Sequence, residues 1–418
     1  MISQLKDFTP GRRNRVSRED FSLTHLPRSS TLKAGWLLVL PLLSSLVLAV
    51  SAAEARAPHV LSRVRFKNWG ISSAQGSPVN ASIQATDAWS VTEGSRDIVV
   101  AVIDTGVDFT HPDIKANQWV APQQKNTQGE AIYGWNFIDQ TANPKDDHGH
   151  GTHVAGIIGA VANPKEGTSG VAQKVSIMAV KYYSPENSGA VNLRNTVKAI
   201  DYAVQNGARI INYSGGGPEF SEEEYLAIKK AEAKGVLFVA AAGNERQDTD
   251  QVDHYYYPAA YRLSNIVSVA ATTVNNELLR SSNWGKRRVD VAAPGENIYS
   301  TLPDGKYGFM SGTSQATAFV SGLAALLLAK NPKLTVPELK ALILSQVDPL
   351  PNLKLKVASG GKVNAYHSLL ALEKGIMPTS TPSERLVGST SDSAVTRETA
   401  AARAKSEILS LLSKVKSE

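Results

Sequence analysis

The stretch DIVVAVID, Asp97–Asp104, is almost wholly apolar and rich in β-branched residues. It reads as a strand buried on both faces, the kind found inside a parallel sheet. Further along, HVAGIIGAVA (153–162) has small apolar residues at helical spacing, and VSIMAV (175–180) reads as a second buried strand. NLRNTVKAIDYAVQNG follows, with Asn192 placed to cap a helix and Gly207 to end it. RIINYS is strand-like, and SEEEYLAIKKAEAKG opens on a capping-box pair, Ser221 and Glu224, and stops at Gly235. VLFVAAAG and IVSVAA are strand-like again. TSQATAFVSGLAALLLAK is a long apolar helix, and TVPELKALILSQ carries a second capping box, Thr335 with Glu338. Strands alternating with helices predict an α/β fold of three layers, a mostly parallel central sheet with helices on both faces. In such folds the chemistry gathers at the carboxyl ends of the strands, where Asp104, Ser214 and Asn244 fall.

The formal charge of the 418 residues is +6, but residues 1–57 hold eight Lys/Arg against four acids, leaving +2 for the rest. The basicity therefore belongs mostly to the N-terminal segment, and nucleic acid is not an expected partner. Residues 34–53, AGWLLVLPLLSSLVLAVSAA, are uncharged, follow a basic stretch and end in small residues. That is the pattern of an export signal. Cleavage near Ser51-Ala52-Ala53 or Ala55-Arg56-Ala57 would leave an exported, secreted or periplasmic protein without a stable membrane span. Uncleaved, the stretch is long enough to anchor the chain in a bilayer. There is no cysteine, which excludes disulfides, thiol catalysis and cysteine metal sites. After an N-terminal arm at 58–90, one domain is expected over 91–374. Residues 375–418 read as a Ser/Thr-rich linker and a short amphipathic tail.

Three segments place polar groups where the pattern is otherwise apolar or glycine-rich. In AVIDTGVD, Asp104 ends the buried strand, and a buried carboxylate is costly unless a cation or donor pairs with it. HGHGTHVAG is a turn entering a helix, and SGTSQATAFVSG brings Ser314 into another. A serine hydroxyl is a poor nucleophile until a base takes its proton, and the base needs an acid to hold its tautomer. Asn244, in VAAAGNE, offers a side-chain amide for an oxyanion. Singly, each residue has an ordinary explanation: a turn former, a helix cap, a strand end. In this order and together, the catalytic explanation wins.

These motifs make the chain resemble the subtilisin-like serine proteases. Asp104-Thr105-Gly106, His150-Gly151-Thr152-His153-Val154-Ala155-Gly156 and Gly312-Thr313-Ser314 occur in that family's order. The resemblance runs from about residue 68 to about residue 373, through Asn265–Ala270, Ala292-Ala293-Pro294-Gly295 and Gly361–Ala365. It implies a serine endopeptidase acting on proteins or peptides as a monomer, with the peptidase domain at 91–374 and no cofactor needed for chemistry. Ser314 would be the nucleophile, His150 the base and Asp104 its orienting acid. Asn244 and the Ser314 N–H would hold the oxyanion. Substrate would pair with the edges Ser188-Gly189-Ala190 and Ser214-Gly215-Gly216. Ser214–Gly217 and Ala242-Gly243-Asn244 would line the primary specificity pocket. The resemblance also suggests structural calcium, with Asp113, Val161 and Asn163 at ligand positions, although ANPKEGTSG departs from the family's loop and contains Lys165.

Other departures stand beside the catalytic serine. The family's methionine after it is Gln315 here, and its proline and histidine four and five residues on are Ala318 and Phe319. Gly215 replaces a larger apolar residue. A binding protein that kept the fold is the main rival reading, and the intact Asp, His, Ser and Asn oppose it. A dinucleotide loop is disfavoured, because Gly149 and Gly151 do not directly follow a strand. The Gly-x-Ser-x-Gly elbow of lipases is absent, since Gln315-Ala316 follow Ser314. The three histidines 148, 150 and 153 lack the four-residue spacing and adjacent glutamate of a zinc-protease helix. His153 is instead expected to be a packed helix residue, and His148 a partly exposed loop residue beside the cleft. Tyr255-Tyr256-Tyr257-Pro258 reads as packing and a rigid turn.

Overall fold

The structure, a computed structural model, describes residues 66–72, 80–122 and 124–378. The stretch read as an export signal, parts of the expected N-terminal arm and nearly all of the expected linker and tail lie outside the described residues. In chain order the elements are α1 (Ala85–Ala88), β1 (Gly94–Asp104), α2 (Pro112–Lys115), β2 (Gly134–Asn136), α3 (His150–Gly159), β3 (Lys174–Lys181), α4 (Gly189–Gln205), β4 (Ile210–Tyr213), α5 (Glu222–Ala233), β5 (Leu237–Ala241), β6 (Ile266–Thr272), β7 (Val291–Pro294), β8 (Ile298–Leu302), β9 (Lys306–Met310), α6 (Thr313–Lys330), α7 (Val336–Ser345), β10 (Asp348–Pro349), β11 (Gly361–Lys362) and α8 (Ala365–Glu373).

Nine strands form one sheet in the order β10-β11-β7-β6-β5-β4-β1-β3-β2. Every pairing in it is parallel except β10 with β11. β1 sits inside the sheet, with Ile103 opposite Val180 on one side and Tyr213 on the other. Its residues alternate between two cores. Val100 and Val102 join the cluster containing Val154 of α3 and Leu323 of α6, whereas Ala101 and Ile103 join Ile200 of α4 and Ile228 of α5. Leu237 and Val239 part from Phe238 and Ala240 of β5 in the same way. A period of two on a sheet covered on both sides requires apolar residues at every position, which is why these strands read as unbroken apolar runs. The sheet with α3 and α6 on one face and α4 and α5 on the other gives the three layers expected.

The helix boundaries hold two corrections. α4 begins at Gly189, not after Asn192. Ser188 caps it, its side chain accepting from Val191 N–H, and Asn192 lies buried within the helix, its Nδ2 donating to Ser184 O at 3.0 Å. The capping box of α7 forms in both directions. At α5, Ser221 accepts from Glu224 N–H at 3.2 Å, but the Glu224 side chain turns inward to Tyr261 Oη, 2.7 Å away. Burial raises the Glu224 carboxyl to about 7. A protonated Glu224 suits the geometry, because Tyr261 Oη also receives Ser221 N–H at 3.1 Å and can then donate to Ser221 O at 3.0 Å.

Candidate active site

Asp104, Ser214 and the Gly243-Asn244 pair all leave the sheet at carboxyl ends, of β1, β4 and β5. Asp104 is buried, and its Oδ1 accepts from His150 Nδ1 at 2.8 Å and from Thr105 N–H at 2.8 Å. That spends Nδ1–H on the carboxylate and leaves Nε2 as the basic nitrogen of a neutral ring. The approach is close because Gly151, in the first turn of α3, lacks a Cβ that would collide with Gly106 O. Burial by itself would lower the His150 pKa. The charge and hydrogen bond of Asp104, with the charge of Asp146, outweigh it and hold the pKa above the ordinary 6.5.

Asp146 was not singled out in the sequence. Its buried carboxylate accepts from Thr105 Oγ1 (2.9 Å), His148 N–H (2.9 Å), Gly149 N–H (2.9 Å), Thr152 N–H (2.9 Å) and Thr152 Oγ1 (2.6 Å). One side chain thus ties the turn before His150, the first turn of its helix and the turn after Asp104. The signal was an acid four residues ahead of His150 at a helix start, where carboxylates satisfy free N–H groups.

Ser314 is the second residue of α6, so its N–H has no partner within the helix. Its Oγ donates to Ser214 O at 3.0 Å, and no hydrogen bond joins it to His150. Ser214 Oγ donates to Ser314 O at 3.1 Å, Asn212 Nδ2 donates to Ser214 Oγ at 3.1 Å, and Ser321 Oγ donates to Asn212 Oδ1 at 2.8 Å. This polar chain fixes β4 to α6 beside the nucleophile. Asn244 is exposed, and its Oδ1 accepts from Thr313 N–H at 2.9 Å. With its oxygen held, the amide presents Nδ2 as a donor.

The subtilase family model matches residues 95–366, a span that takes in all of these groups.

The chain belongs to the subtilase family.

It is 38% identical to thermitase of Thermoactinomyces vulgaris over 69% of this chain and 93% of that protein. It is 37% identical to the major intracellular serine protease of Bacillus subtilis over 66% of this chain and 84% of the relative. Among solved structures, a lanthipeptide protease matches with a TM-score of 0.56 and 26% identity over 68% of this chain and 90% of that one. This subtilase is a serine-type endopeptidase.

The three histidines are separated in this subtilase by their surroundings. His148 is exposed, with its ring 6.5 Å from that of His150, and it lines a cavity of about 860 Å³ with Lys181, Leu302 and Pro303. His153 is fully buried, and Nε2 faces Ile298 O at 3.0 Å and Gly308 O at 3.3 Å. Among the described residues no group of three His, Asp or Glu side chains is arranged to hold a metal. Burial, and then the neighbouring His150, depress the His153 pKa to about 3. Unfolding lets this imidazole take a proton below about 6.5, so the unfolded state binds more protons between pH 6.5 and 3. Stability is expected to fall with acidification across that window by about 1.4 kcal/mol per pH unit from this residue. Urea midpoints measured against pH should show the slope, and it should flatten in His153→Asn; an unaltered slope in the variant would contradict the assignment.

Other expected site residues fare differently. Of Ser188, Gly189 and Ala190, only Ser188 has extended backbone; Gly189 and Ala190 form the first turn of α4, so that edge is shorter than expected. A Cβ at Gly215 would collide with Tyr182 Oη and lie 3.2 Å from the Tyr213 ring, so tyrosines occupy the room of the larger residue usual in subtilases. Gln315, Ala318 and Phe319 are buried in α6, and the Phe319 ring reaches Gly70 of the N-terminal arm.

The calcium set does not fit. Asp113 Oδ1 accepts from Asn163 Nδ2 at 3.0 Å and Oδ2 from Tyr307 Oη at 2.8 Å, while Val161 N–H donates to Asp113 O at 2.7 Å. Asn163 thus turns its nitrogen, not its oxygen, toward the carboxylate. Burial and Asp113 push the Tyr307 hydroxyl far above its ordinary range, so it stays a donor there. An ion would have to displace both bonds, which close the contact that calcium would otherwise make.

Proposed function

We propose that this subtilase cleaves protein or peptide substrates through Ser314, His150 and Asp104. The observation that supports this best is the 2.8 Å hydrogen bond from His150 Nδ1 to Asp104, which leaves Nε2 to act as base. Rotation of the Ser314 side chain away from Ser214 O would present its hydroxyl to Nε2. As Oγ bonds to the peptide carbonyl carbon, Nε2 takes its proton, and Asp104 stabilises the imidazolium. His150 then protonates the leaving amine, and water hydrolyses the acyl-enzyme by the reverse proton route. The free Ser314 N–H and Asn244 Nδ2 are donors for the oxyanion. Substrate backbone would lie along Ser214-Gly215-Gly216, with Gly217 and Gly243 beyond them and a single contact residue, Ser188, opposite. The chain is expected to act as a monomer. A serine-directed fluorophosphonate should label Ser314 alone in the full chain, which should also digest a denatured protein; neither event occurring would overturn the proposal.

The apolar stretch 34–53 behind its basic flank supports export, whereas two relatives, of Paenibacillus polymyxa and Bacillus subtilis, are named intracellular serine proteases. Fractionation of producing cells with N-terminal sequencing decides between them. A product outside the cytoplasm that starts near residue 54 or 58 is expected, and a full-length cytoplasmic product would refute export.

A further inference from the structure

Substrate backbone is expected along residues 214–217, and that segment runs on to Ser221, the cap of α5. Its near end is fixed to α6, where Ser214 Oγ donates to Ser314 O at 3.1 Å. In the middle, Gly217 and Tyr257 exchange two hydrogen bonds of 2.9 and 2.7 Å. Among the described residues no backbone–backbone hydrogen bond holds Gly215 or Gly216, so the form of the segment depends on the fastenings around them. The far end is fastened by a side chain. Phe220 meets the rings of Tyr257 and Tyr261 edge-on, each 5.5 Å away. Tyr261 Oη grips both backbone groups of Ser221, the N–H at 3.1 Å and the carbonyl at 3.0 Å. The same hydroxyl lies 2.7 Å from Glu224 Oε2.

A tyrosine hydroxyl has one hydrogen to give. With Glu224 protonated, the carboxyl donates to Tyr261, and Tyr261 donates to Ser221 O while accepting from Ser221 N–H. Every contact is then served. With Glu224 ionised, the hydrogen of Tyr261 goes to the carboxylate, because a charged acceptor makes the stronger bond. Ser221 O then loses its donor. The groups facing the carboxylate do not offset its charge. Tyr213 of β4, Tyr256 and Tyr261 all lie against it, with hydroxyls that burial keeps protonated. β5 brings no titratable side chain. α4 brings Asp201, which pairs with Lys230 towards the other end of α5. α5 itself adds the exposed acids Glu222 and Glu223. Burial accordingly raises the Glu224 carboxyl to about 7, so both forms are populated near neutral pH.

We propose that Glu224 is a proton-operated clasp on the substrate-pairing segment, closed when its carboxyl is protonated and open when it is ionised, so that the enzyme binds peptide more tightly in acid than in alkali. The effect on substrate rests on the peptidase reading above; the clasp itself does not. Ionisation leaves the fastenings at Ser214 and Gly217 in place, so binding is expected to respond and the catalytic groups are not.

Hydrogen–deuterium exchange of the full chain, corrected for the intrinsic effect of pH, reads the clasp one unit either side of its midpoint, at about pH 6 and about pH 8. Protection of residues 217–221 is expected to fall about three- to tenfold from the lower to the higher pH, the range one net hydrogen bond represents. KM for a peptide p-nitroanilide, whose slow chemistry makes KM a measure of binding, should rise by a similar factor. Glu224→Gln keeps a donor for Tyr261 and cannot ionise, so its protection and KM should hold their acid-side values at both pH values. Tyr261→Phe removes the bridging hydroxyl and should show low protection at both, which decides the matter if the glutamine variant does not fold. Equal protection in the parent at the two pH values would overturn the proposal. So would a glutamine variant that responds like its parent, or a KM that stays flat while peptide is cleaved. Failure of the peptidase reading looks different: no anilide is cleaved and Ser314 is not labelled by fluorophosphonate, while exchange still reads the clasp.

Discussion

Ser314→Ala is expected to lower kcat on a denatured protein or an anilide by about 10⁶-fold, to a residual rate still above that of water. The substitution removes one oxygen. Asn244 remains tied to Thr313, and the helix start still offers its free N–H groups. The variant should therefore bind substrate and stabilise an oxyanion but lack the atom that attacks. Because Ser314 Oγ also donates to Ser214 O, the alanine leaves one acceptor without that partner. Ser214 Oγ still donates to Ser314 O, so the segment stays attached to α6. Folding should survive, and circular dichroism and urea midpoints should show it. A variant that is folded and as active as its parent would remove Ser314 from the mechanism.

The second large effect is expected at Asp104→Asn, with a loss of about 10⁴-fold. An amide can turn either its oxygen or its nitrogen toward Nδ1, and the nitrogen favours the tautomer with the proton on Nε2. That ring cannot accept the serine proton. The pH profile gives a separate readout. In the parent, burial works against the imidazolium, but Asp104 overrides it, so the His150 pKa is raised above 6.5. Activity requires neutral His150, so it should be lost as pH falls through that raised value. With Asp104 neutralised, the acid limb of kcat/KM should move to lower pH even as the plateau drops. An unmoved limb would mean that a group other than His150 governs it.

Much of the fold was legible because its strands are buried on both faces and therefore uniformly apolar. The run Asp97–Asp104 states both its burial and its end, since the final carboxylate breaks the pattern where the strand leaves the sheet. The start of α4 was misread because Asn192 is an equally good capping residue and Ser188-Gly189-Ala190 was assigned to a substrate-pairing edge, whereas Ser188 is the cap. Asp104, His150, Ser314 and Asn244 could be found in sequence because each sits in a short local motif. Asp146 could not be weighed in the same way: its five donors are mostly backbone N–H groups, which no residue code advertises. Asp113 and Asn163 have residue types that suit an ion site, but Asp113 is bonded instead by Asn163 and by Tyr307, which lies far along the chain.

The helix that carries Ser314 is buried from Thr313 to Leu328 and packs beneath most of the sheet. Active-site residues on loops can stray and return while the rest of a protein stays intact, but a nucleophile at the end of a central core helix has no such freedom. The backbone position of Ser314 persists for as long as the helix stays packed, and only its side chain is left to rotate. For this subtilase, loss of the nucleophile's position is then expected to follow unfolding of the core rather than the motion of a loop, so the half-life of activity on heating should track the unfolding rate of the domain.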